Sequence, residues 1–100
     1  MARYEGEIIN ASQVLFNSTV DGLSSAITIP NKTAYITITA LDTDRVWVCN
    51  ASGDKLLLVP QYYSGESNSS SFVSLELQGT DIKVETTGSA QVYVTRFFSQ

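Results

Sequence analysis

The chain has 100 residues and a mass of 10.9 kDa, the size of one domain with one core. Only 16% of it is charged against 43% hydrophobic, which excludes charge-driven disorder and argues against a long helical bundle. The net charge is −4, and Arg3, Lys32, Arg45, Lys55, Lys83 and Arg96 are scattered singly. Nucleic acid and anionic membranes both require concentrated positive charge, so neither is expected as a partner.

In chain order, residues 1–25 read as an arm or an edge strand of a single 1–100 domain. Gln13-Val14-Leu15-Phe16 suits a strand, a short helix being the alternative, and Thr19-Val20-Asp21-Gly22 suits a turn. From residue 26 onward the pattern alternates with period two, the signature of half-buried strands. Residues 26–29 stop at a Pro30-Asn31-Lys32 turn. Residues 33–40 form the clearest strand, with Ala34, Ile36, Ile38 and Ala40 on one face and Tyr35, Thr37 and Thr39 on the other. A turn over residues 41–44 precedes a strand at 45–50. Ala51-Ser52-Gly53-Asp54 then connects to a strand at 55–59, which Pro60 ends.

Tyr62 and Tyr63 lead into a polar loop over residues 64–71. Residues 72–78 alternate again, with Val73, Leu75 and Leu77 inward. Gly79-Thr80-Asp81 and Thr87-Gly88-Ser89 are expected turns on either side of a strand at 82–86, and a last strand covers 90–97. About seven to eight short strands with regular turn signals predict an all-β, antiparallel, jelly-roll-like β-sandwich.

The chain has no histidine and a single cysteine, Cys49. The commonest general base and transition-metal ligand are therefore missing, and neither an internal disulfide nor a cysteine-based zinc site can form. No Gly-x-Ser-x-Gly elbow or glycine-rich phosphate loop occurs. The expectation is a chain that is not an enzyme, with no catalytic, cofactor-binding or metal-binding residues. Asp42 and Asp44 are read as turn chemistry rather than a calcium loop. All five asparagines (Asn10, Asn17, Asn31, Asn50, Asn68) stand in Asn-x-Ser/Thr triplets. Met1 to Glu7 lacks an apolar signal region, so the triplets are read as strand-end turns rather than glycan sites, in a protein made in a cytoplasm.

The aromatic residues are the candidate contact groups. Trp47, Tyr62, Tyr63 and Tyr93 suit a sugar-stacking platform, a protein contact or plain sheet packing. In the closing Phe97-Phe98 pair, neighbouring side chains face opposite sides, so one ring must find a surface other than the core. The Met1 start, the alternating strands at 33–40 and 72–78, and the closing Gly88-Ser89-Ala90-Gln91-Val92-Tyr93-Val94-Thr95-Arg96-Phe97 resemble the small all-β accessory virion proteins of tailed bacteriophages. That resemblance implies a structural role in a capsid decoration, head fibre or tail part, located in the virion. It also implies a homo-oligomer, with a trimer favoured, and contacts with other virion proteins. The alternative expectation is a carbohydrate-binding module using the surface aromatics, with glycans as ligands.

Overall fold

The computed structural model describes residues 11–41, 45–63 and 69–98, without the side chains of Tyr62, Tyr63 and Ser69. The expected turn residues 42–44, much of the polar loop, and Asn10 and Asn68 lie outside the described residues. Among the described residues, eight strands form one antiparallel sheet: β1 (Ser12–Leu23), β2 (Ile27–Ile29), β3 (Thr33–Leu41), β4 (Val46–Asn50), β5 (Lys55–Leu58), β6 (Gln61–Tyr63), β7 (Ser69–Leu75) and β8 (Thr80–Phe98). The all-β antiparallel expectation holds, and the sheet curls on itself into a sandwich-like fold.

The strands are not uniformly short. Residues 82–86 and 90–97, expected as two strands, are halves of the 19-residue β8. Gly88, at φ +76°, bends the strand without ending it, a conformation open to glycine because it has no Cβ. Before the bend β8 pairs with β2 and β4; after it, with β3; β1 follows it round. A smaller leaf (β2, the first half of β8, β4, β5) therefore faces a larger leaf (β1, the second half of β8, β3, β7, β6). The expected turn at 19–22 is likewise part of β1, whose pairing with β8 shifts register between Asp21 and Leu23, opposite the extra β8 residues 86–88, with Gly22 at φ +87°.

Thr86 fastens this corner. Its buried Oγ1 donates 2.7 Å to the Gly88 carbonyl and lies 3.3 Å from that of Val20. The core lies between the leaves: Ile27, Ile29, Val46, Val48, Ile82 and Val84 from the smaller, Ile36, Ile38, Ala40, Val92 and Val94 from the larger. Ala34 is a further correction. A register irregularity between Thr33 and Tyr35 turns Ala34 outward and buries Thr33, whose hydroxyl donates 2.8 Å to the Pro30 carbonyl.

Near the end of β8, Arg96 ties that strand to β1, to the β2–β3 turn and to β3. Its guanidinium donates to Gln13 Oε1 at 2.8 Å, to the Asn31 carbonyl at 3.2 Å and to Thr33 Oγ1 at 3.3 Å. Asn50 closes the β4–β5 turn, its Oδ1 accepting from the backbone N–H groups of Ser52 and Asp54 at 3.0 and 2.9 Å. That is the turn chemistry expected of an asparagine at a strand end.

Candidate interaction surface

Directly paired residues in an antiparallel sheet project on the same side, so the register reads out both outer faces. On the smaller leaf Asp81, Lys83 and Glu85 of β8 point outward, beside Thr28 of β2 and Trp47 and Cys49 of β4. Lys55 of β5 organises this surface, its Nζ lying 3.2 Å from Glu85 Oε2 and 4.3 Å above the Trp47 ring. One face of the indole is thus already occupied by an ammonium group. Cys49 is fully covered; burial, followed by the negative charge of Glu85, pushes its thiol above the ordinary value of 9.0.

The outer face of the larger leaf is chemically different. One row runs Phe72, Thr39, Tyr93, Asn17 across β7, β3, β8 and β1. The adjacent row runs Ser74, Thr37, Thr95, Val14, and on the other side Leu41 stands between Ser70 and Gln91. None of these outward positions carries a charge. Phe72 is 43% exposed, Leu41 39% and Tyr93 37%. Asp21 at the bend and Glu76 past the end of β7 stand at the margins of the face.

The structure separates the aromatic candidates. Trp47 lies on the smaller leaf and Tyr93 on the larger, on either side of the Gly88 bend. Phe97 faces outward and stacks on Tyr35 at 4.6 Å between ring centroids, while Phe98 lies beneath the Arg96 guanidinium at 4.1 Å. The side chains of Tyr62 and Tyr63 are outside the described residues. Sequence reasoning overlooked Val14, Leu41 and Phe72. The signal nearest to them is the uncharged outward alternation of their neighbours, Tyr35, Thr37 and Thr39 on β3 and Gln91, Tyr93 and Thr95 on β8.

Two apolar features accompany these faces. Leu56 and Leu58 of β5 are 65% and 52% exposed, and β5 ends the strand order of the sheet. Between the leaves on that side, Val48, Leu57, Leu75, Leu77 and Ile82 line a hollow of about 250 Å³, with Asn50, Thr80 and Asp81 also on its wall. Among the described residues no three His, Cys, Asp or Glu side chains gather where they could hold a metal ion.

The fold thus defines an antiparallel, sandwich-like β-domain. No family model matches the sequence, and no curated protein is similar to it. Solved structures are similar to it at low sequence identity. Bacillus licheniformis lipase BlEst2 in its propeptide form is 11% identical with a TM-score of 0.61; the likeness covers 89% of this chain but only 22% of the lipase. The C-terminal domain of A223, a structural protein from Sulfolobus turreted icosahedral virus, is 11% identical with a TM-score of 0.51, covering 85% of this chain and 96% of that domain. A carbohydrate-binding module from Cellvibrio mixtus lichenase 5A, in complex with cellotriose, is 8% identical with a TM-score of 0.46 over 90% of this chain and 88% of the module.

Proposed function

We propose that this chain is a non-enzymatic structural subunit of a virus particle, of the capsid-decoration or head or tail accessory type. In this reading it associates with itself and with other virion proteins. The observation that carries the reading is the outer face of the larger leaf, four strands wide, with exposed aromatic and aliphatic side chains among hydroxyls and no charge. Such a face can be desolvated at lower cost than one covered with Lys and Glu, as a subunit contact requires. The viral structural domain supports the same reading, because the likeness extends over nearly its full length. Co-sedimentation with virus particles or their purified shell proteins tests the proposal. Retention in the particle fraction is expected; a folded chain that binds no virion protein would remove it.

A further inference from the structure

Resting on that reading, we infer that two copies of this chain pair through the outer face of the larger leaf, in a two-fold contact centred on Thr39, Phe72 and Tyr93. Three properties of the face select a second copy as its occupant. The first is charge. Two molecules of net charge −4 repel wherever acidic groups meet, and these outward rows let them approach with no ionised group at the centre. Asp21 and Glu76 stand at the rim, where water can still reach them.

The second property is hydrogen-bonding symmetry. Ser, Thr and Tyr hydroxyls each donate and accept, so a face built from them is complementary to its own copy. A face of carboxylates alone could not satisfy itself in this way. The third is size. Four strands at about 4.8 Å and seven residues at about 3.3 Å give a flat footprint of about 19 by 23 Å per copy. Side-chain relief raises the buried area from both copies to about 1,000 Å², the low end for a specific interface. A dissociation constant in the micromolar range is therefore expected, which repetition on a particle would reinforce through avidity.

A face that meets its own copy is isologous and closes at two, whereas the resemblance to phage accessory proteins implies three. Sedimentation velocity of the full chain over a concentration series tests the contact. The wild type is expected to pass from monomer to dimer. Thr39→Lys and Phe72→Lys, each checked for a wild-type circular dichroism spectrum, should weaken the dimer at least roughly tenfold, because the two-fold brings like charges together. Mixing the Thr39→Lys and Thr39→Glu chains should restore association, which a misfolded variant could not do. Leu58→Lys on β5 should leave the dimer unchanged.

A monomer at every concentration, a trimer, or a dimer lost only in Leu58→Lys would overturn the inference. These failures are separable from failure of the virion reading. A chain that dimerises through this face but binds no particle keeps the contact and loses the role. A monomer that sediments with particles does the reverse.

Discussion

The two halves of β8 share one backbone and one core but present opposite outer surfaces. Before the bend, the outward residues Asp81, Lys83 and Glu85 are all charged; after it, Gln91, Tyr93, Thr95 and Phe97 are all neutral. Inward, both halves are alike: Ile82 and Val84 on one side of Gly88, Val92 and Val94 on the other. The inner pattern is set by folding, which buries apolar surface wherever the two leaves meet. The outer pattern does nothing for that core. On the reading proposed above, its asymmetry reflects what lies outside each leaf: water beside the charged half and a second copy beside the neutral half.

Substitutions at graded depth test this contrast. The largest effect is expected in the common core, because the difference between the halves should vanish there. Ile38→Ala on β3, fully buried, should cost about 3 to 4 kcal/mol. It should also leave a single unfolding transition by circular dichroism and tryptophan fluorescence. Trp47 sits on the other leaf, so two separate transitions would show that the leaves are independent units. At the corner, Thr86→Val keeps the shape and removes the hydroxyl that meets the Val20 and Gly88 carbonyls, at an expected cost of about 1 to 2 kcal/mol in denaturant unfolding. An unchanged midpoint would mean that the glycines alone hold the bend.

Most of this architecture was legible from alternation. The inward sets Ile36, Ile38, Ala40 and Val73, Leu75 follow from period two, and the Asn50 turn follows from its residue types. What stayed hidden was continuity. Thr87-Gly88-Ser89 has the composition of a turn, and a glycine at positive φ serves a turn and a bent strand equally well. Reading it as a turn cut β8 in two and concealed that charged and neutral segments belong to one strand. The Ala34 position failed for a related reason. A bulge shifts the period by one residue, and nothing in Thr33-Ala34-Tyr35 announces where the extra residue falls. Of the candidate surface only Tyr93 was legible by residue type, since Phe72, Thr39 and Tyr93 come together only through pairings between distant segments.

On the charged half, Cys49 gives the contrast a pH dependence. Its thiol is raised by burial first and by Glu85 second, so the native state holds the proton more tightly than the unfolded chain. The resulting stability is complete below the unfolded thiol's pKa and is lost as pH rises through the folded value. Thermal midpoints in the alkaline range should therefore fall less steeply for Cys49→Ser than for the wild type. Equal slopes would show that other groups govern the alkaline limit. In the native state the thiol should also resist alkylation at pH 8 and react freely in denaturant, as its complete burial requires.

The smallest expected effect concerns the charges themselves. Lys55 and Glu85 are partly exposed, with side-chain accessibilities of 51% and 28%, so water screens much of their attraction. Glu85→Gln should cost no more than about 0.5 kcal/mol at low ionic strength, and less in salt. The same substitution leaves the larger leaf untouched, so self-association should remain at the wild-type level. That pairing of outcomes is the sharpest test of the division between the faces. A small, salt-sensitive stability loss with unchanged association assigns the charged half to solvent. If Glu85→Gln instead weakened association as much as Thr39→Lys, the charged leaf would belong to the contact, and the neutral rows across β7, β3, β8 and β1 would not be what selects the partner.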